Sequence, residues 1–248
     1  MGSGVHLSKA PIVEGLIDIR VKPDEAFKPE GLLAIRDLIH EQYPSHKEAL
    51  RLQASFEFSD GGSPEQSVKS QEVGYRFDSA DGQYVLQVQH GGFTLSRLKP
   101  YETWENLFAE ARRLWMHYVN VVRPQAVTRV ATRYINRIEL DTVPLHFDDY
   151  LAAPPNIPKR LPQLIGEFLT RIVLTDKDTG ASIVLTQALE PMNLASNTVP
   201  VIIDIDVFKE VALAVDSEEY WQLLSEFRHL KNNAFFGSIT DKTLELLK

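Results

Sequence analysis

Cysteine is absent from the 248-residue chain. Disulfides, thiolate metal centres and cysteine nucleophiles are therefore excluded, and the composition fits a reducing, cytoplasmic setting. No apolar run approaches the roughly 20 residues of a membrane-spanning helix, and MGSGVHLSKAP at the start lacks the apolar core of a signal peptide. A glycine-rich phosphate loop is missing too, because His90-Gly91-Gly92 joins two strands rather than leading a strand into a helix. No GxSxG motif occurs. The seven histidines show neither HxH nor HExxH spacing, so none is assigned a catalytic or ligating role. Basic charge is in short supply: 26 Lys and Arg stand against 34 Asp and Glu, a net charge of -8. That balance speaks against broad nucleic-acid binding.

What is present is ordinary globular chemistry, 44% hydrophobic and 24% charged. Alternation predicts a first strand over PIVEGLIDIRV (11–21), with Val13, Ile17, Ile19 and Val21 on one face and Glu14, Leu16, Asp18 and Arg20 on the other. A helix is expected over 29–43, a strand over 50–59, and a polar, mobile Gly/Ser-rich loop over 60–71. Strands then follow at 73–79, 83–89 and 93–98, with turns at Asp81-Gly82 and Gly91-Gly92. Trp104, Phe108, Ala111, Trp115, Tyr118 and Val122 form the apolar stripe of a long helix over 103–122. Beyond it come strands at 126–140, 167–175, 181–190 and 201–208, interrupted by a proline-rich stretch at 152–162. A second long helix is expected over 217–231 and a short one from Thr240-Asp241.

The order strand, helical or irregular stretch, antiparallel strands, long helix occurs twice. The two long helices align with Trp104 on Tyr220, Leu107 on Leu223, Phe108 on Leu224 and Ala111 on Phe227. The expected fold is α+β, with mainly antiparallel sheet packed on long helices. Two similar halves, 1–124 and 125–248, would pack together or share one continuous sheet.

The sharpest chemical feature is Arg129, Arg133 and Arg137, four apart on one strand face. They lie about 13 Å from one to the next at ~3.3 Å per residue, so one phosphate meets only one of them. Either they form an anion-binding face or they are neutralised internally by carboxylates. Glu14 and Asp18 show the same four-residue step, and Asp204 and Asp206 share a strand face. Internal pairing is the favoured reading, because structural ion-pair networks imitate sites. Asp204 and Asp206 could alternatively share a divalent metal in a phosphoester- or nucleotide-acting enzyme, with Glu190, Glu210 or Asp18 as a third carboxylate. A bare DxD carries little specificity. NNAFFGSITDK (232–242), with Phe235 and Phe236, reads as a docking tail or a partner surface.

APIVE (10–14), LKPYETW (98–104), RYINRIEL (133–140) and NNAFFGSITDK together resemble a sporadically distributed family of uncharacterised prokaryotic proteins of about 250 residues. The resemblance spans nearly the whole chain. It implies a prokaryotic protein of patchy distribution and carries over no activity, cofactor or catalytic residue. The functional expectation is a non-catalytic binding or interaction module for a protein partner or small anionic ligand, with cofactor and oligomeric state unassigned.

Overall fold

The central strands pair through their main chains, and β-type alternation along them turns apolar side chains to one face. In a computed structural model, residues 7–57, 65–141, 146–191 and 198–248 are described. Nine strands build one antiparallel sheet: β1 (Ile12–Lys22), β2 (Ser45–Glu57), β3 (Glu65–Asp78), β4 (Tyr84–Gln89), β5 (Gly92–Leu98), β6 (Ala126–Asp141), β7 (Leu169–Thr175), β8 (Ser182–Leu189) and β9 (Thr198–Leu213). Their order is β2-β3-β4-β5-β1-β6-β9-β8-β7. Helices are α1 (Ala34–Ile39), α2 (Trp104–Val122), α3 (Glu219–Ser238) and α4 (Asp241–Leu247). No helix is long and apolar enough to cross a membrane among the described residues. The fold is α+β with a mainly antiparallel sheet, as the strand and helix periods predict.

The two halves meet at the β1–β6 pair, in the middle of a continuous sheet. Read outward, one side runs β1-β5-β4-β3-β2 and the other β6-β9-β8-β7. In each half, the opening strand therefore lies inside, the strand next to it precedes a long helix, and earlier strands lie further out.

Helices α2 and α3 cover one face. Ile17, Ile19, Phe93, Leu95, Val130, Tyr134, Ile203 and Ile205 point into it from the central strands and are buried. Trp115 stacks edge-on to Phe93 and donates its indole N–H to the Tyr220 hydroxyl at 3.0 Å, tying α2 to α3. Thr103 caps α2 by accepting from Asn106 N, and Arg123 ends it in the left-handed region at φ 50° ahead of Pro124.

Several boundaries differ from the sequence expectation. Residues 65–71 are not loop but the first half of β3, paired with β2; 58–64 lie outside the described residues. Backbone pairing gave no apolar signature there. The helix expected over 29–43 is a 3-10 turn, Pro29–Leu33, followed by the short α1. α3 runs on to Ser238, so NNAFFGS is helical rather than an irregular tail.

Gly15 of β1 lies opposite Tyr134 of β6 on the helix face. A Cβ there would stand 2.7 Å from Tyr134 Cε1 and 2.9 Å from Tyr101 Cε2. Gly15→Ala is expected to cost about 1–3 kcal/mol by overpacking. Gly166→Ala, where a Cβ meets nothing within 4 Å, should be near neutral. Urea denaturation of both variants measures the difference.

Candidate functional site

The face of the sheet opposite α2 and α3 carries the arginine row. Alternation along β6 puts Arg129, Arg133 and Arg137 there, and alternation along β9 puts Asp204 and Asp206 there. Asp18 is the centre of the network. It is buried, and it accepts from Arg20 Nε and Nη2 at 2.9 and 2.6 Å, Arg129 Nη1 at 3.0 Å and Thr94 Oγ1 at 2.6 Å. Arg129 also reaches Asp206 at 3.4 Å and Glu210 at 3.7 Å, with its guanidinium 4.4 Å over the Phe208 ring. Arg133 forms a fork with Asp204 at 2.8 and 2.5 Å. Arg137 pairs with Glu190 at 2.8 Å and with Glu139.

All three guanidiniums therefore have carboxylate partners. Of the two first-strand carboxylates expected to match them, Asp18 does so. Glu14 forms no ion pair among the described residues. Donating to the Asp204 carboxylate raises the Arg133 pKa above its usual value, and donating to Glu190 does the same for Arg137. Burial raises Asp206 above the ordinary carboxylate range, against the lowering fields of Arg129 and Arg133.

Asp204 and Asp206 do converge with arginines, but as salt-bridge acceptors. Among the described residues, no group of three or more His, Asp or Glu side chains stands where a metal ion could be held. Glu190, considered as a third metal carboxylate, is instead a partner of Arg137.

The opposite face holds a second polar group, between the sheet and α3. Lys231 of α3 is 9% exposed, and its Nζ lies 3.8 Å from the centre of the Tyr134 ring. It has no ion pair among the described residues. Burial, together with the Arg228 charge, pushes its pKa down to about 7. The Tyr134 and Tyr101 hydroxyls share a hydrogen bond of 2.7 Å. Burial pushes Tyr101 up to about 12 and Tyr134 well above its ordinary value. Asn136 is buried beside them and donates to the Ile203 carbonyl at 3.0 Å.

This group borders a pocket of about 820 Å³ where β1 begins and β5 ends. The segment 7–13, residues 99–102, residues 136–139 and the C-terminal half of α3 form its wall. Because consecutive residues Asn136, Arg137, Ile138 and Glu139 all line it, the pocket wraps past the point where β1 starts. Both wall carboxylates are already matched: Glu102 by Arg97 at 3.0 Å and Glu139 by Arg137. Lys9, Lys99 and Lys231 line the same wall and form no ion pair among the described residues. Phe235 and Phe236, singled out as a tail or partner surface, belong to this wall. Phe235 is buried.

Sequence reasoning found the arginine row but missed Lys231. The signal was helical spacing: Leu224, Phe227 and Phe235 mark one stripe of α3, and Lys231 occupies the step between them. No family model and no curated protein matches the chain.

Two outcomes follow from these environments. Asp18→Asn should cost about 3 kcal/mol, because it strips a buried carboxylate from two arginines. Asp204→Asn, whose partner Arg133 has a side chain 44% exposed, should cost about 1 kcal/mol or less. Denaturant titration of the pair tests the order. Lys231 supplies a pH dependence. Its pKa is near 7 folded, against a usual 10.5, so the unfolded chain binds more protons between those values. Stability should therefore rise with pH across that window, at up to about 1.4 kcal/mol per pH unit. Lys231→Met should be the more stable protein at pH 6 and should flatten the rise. Denaturation curves at pH 6 to 10 decide it.

Proposed function

We propose that the chain is a non-catalytic binding module, and that the pocket beside Lys231 takes a small molecule bearing a negatively charged group. The observation that carries this reading is Lys231 itself: a buried amine in the pocket wall with no carboxylate paired to it among the described residues. Burying an unpaired charge is costly, and an anion arriving from solution would offset that cost. The wall as a whole supports the same sign of ligand, since its two carboxylates are consumed by arginines and three lysines are not. Volume agrees, because pockets of roughly 300–1,000 Å³ hold small organic ligands. Phe235 and Phe236 add apolar surface for the body of such a ligand.

The arginine row contributes less to this reading than its prominence suggests. Arg137 reaches the pocket, but its charge is shared with Glu190 and Glu139. Arg129 and Arg133 serve to hold the central strands together.

Thermal denaturation with benzoate, phenyl phosphate and benzylamine as probes tests the proposal. The two anions should raise Tm, and benzylamine should not. The anion effect should be lost in Lys231→Met. Binding at pH 8 should also take up a proton, because the anion draws Lys231 into its charged form; titration calorimetry in buffers of different ionisation enthalpy reads this. Equal anion binding by Lys231→Met, or stabilisation by the amine alone, would refute the reading.

A further inference from the structure

The sheet ends on β7, and β7 is poorly protected. Edge strands are ordinarily blunted by charges, prolines or bulges, since their free N–H and C=O groups template further pairing. β7 reads Leu-Thr-Arg-Ile-Val-Leu-Thr, with a single charge, no proline, and an unbroken register against β8. Leu169, Ile172, Val173 and Leu174 are 71, 48, 53 and 48% exposed. The preceding chain adds exposed Leu161 and Leu164. On the rest of the described surface, only Leu38, Met116 and Leu246 are large exposed apolar residues.

The topology indicates what is missing. In the first half β2 lies outside β3; in the second half β7 stands third from its central strand, as β3 does from β1, and among the described residues no strand pairs with its outer edge. The gap has the shape of one more antiparallel strand.

Backbone direction shows which strand fits. Leu189 N donates to Phe168 O and Asp176 N donates to Ala181 O, so Phe168 and Asp176 turn their main-chain groups toward β8. Alternation gives Thr170, Ile172 and Leu174 the same direction and leaves Leu169, Arg171, Val173 and Thr175 facing outward. A second β7 laid antiparallel, with Ile172 opposite Ile172, sets Arg171 against Val173 and Leu169 against Thr175. Every outward group then meets an outward group, for about eight main-chain hydrogen bonds. No arginine faces an arginine.

We propose that two copies of this chain associate through β7, antiparallel about a two-fold axis at Ile172, extending the sheet across both. The contact is isologous and closed, so it stops at a dimer. It covers Ile172 and Val173 and removes the free edge.

Light scattering after gel filtration at micromolar concentration should give twice the 28.1 kDa chain mass. Val173→Pro deletes an outward N–H while leaving the β8 ladder intact, and should yield a folded monomer by circular dichroism. Because the chain has no cysteine, single cysteines report the register independently. Ile172→Cys should oxidise to a covalent dimer, since a directly opposed pair lies within disulfide reach. Thr175→Cys, ~20 Å from its mate at ~3.3 Å per residue, should not. A monomer at every concentration, or a dimer in which Thr175→Cys cross-links and Ile172→Cys does not, would overturn the proposal.

Discussion

The antiparallel pairing of β1 with β6 is the constraint on which the rest of the molecule depends. It joins the two halves and sits at the centre of nine strands. Its register sets Asp18 against Ala131 and Gly15 against Tyr134. Because side chains alternate with period two, that one register decides both faces at once. On one face it brings Asp18 within reach of Arg129. On the other it opens the space beside Gly15 in which the Tyr101 and Tyr134 rings meet. A slip by one residue would turn Asp18 into the apolar core and Ile17 and Ile19 toward the arginines, so charge and packing enforce the same pairing.

The two faces treat charge differently. Asp18 is buried but saturated, with two arginines and a threonine hydroxyl directed at it. Its burial cost is met inside the fold, and nothing remains to be offered to a ligand. Lys231 is also buried, lies over the Tyr134 ring, and has no ion pair among the described residues. A cation over tyrosine is worth roughly 0.5–2 kcal/mol, well short of the several kcal/mol that desolvating an ammonium costs. The deficit appears as the lowered pKa. An arginine row attracts the eye, yet its charges are matched within the fold, whereas the buried Lys231 has no ion pair among the described residues.

Much of this was legible in the sequence, and the exceptions have physical causes. The faces of 126–140 follow from strict alternation, and α2 follows from its stripe, its Thr103 cap and Pro124. Internal pairing of the arginine row was anticipated from the four-residue step of Glu14 and Asp18 and from the shared face of Asp204 and Asp206. Which carboxylate meets which arginine was not, and Glu14 forms no ion pair among the described residues. The first half of β3 was not anticipated either, because a strand held by main-chain pairing need not display an apolar rhythm. Lys231 was hidden for a different reason. It lies in the polar run Arg228-His229-Leu230-Lys231-Asn232-Asn233, which reads as a helix end. Only when the helix continues to Ser238 does Lys231 fall in line with Phe227 and Phe235. The pocket itself depends on segments remote in sequence, 7–13, 99–102 and 231–236, whose meeting no local pattern encodes.

The bare edge of the sheet has a local cause that can be traced to composition. In the first half, the chain after β1 forms a 3-10 turn and α1, whose Leu32, Ile35 and Ile39 bury themselves against the outer strands and α2. The corresponding chain after β6 carries Pro154, Pro155, Pro158 and Pro162. Proline removes main-chain donors and crowds the preceding turn, so no helix forms there. Among the described residues, the chain between β6 and β7 forms a 3-10 turn at Phe147–Asp149 but no counterpart of α1, and no strand pairs outside β7. Ile172 and Leu174, which point to the helix face of β7, are left half exposed for want of those two elements. A sheet that is finished at one end and unfinished at the other has an intrinsic polarity. Its unfinished end retains the apolar residues that a covered strand requires, which is why a second copy is the natural occupant.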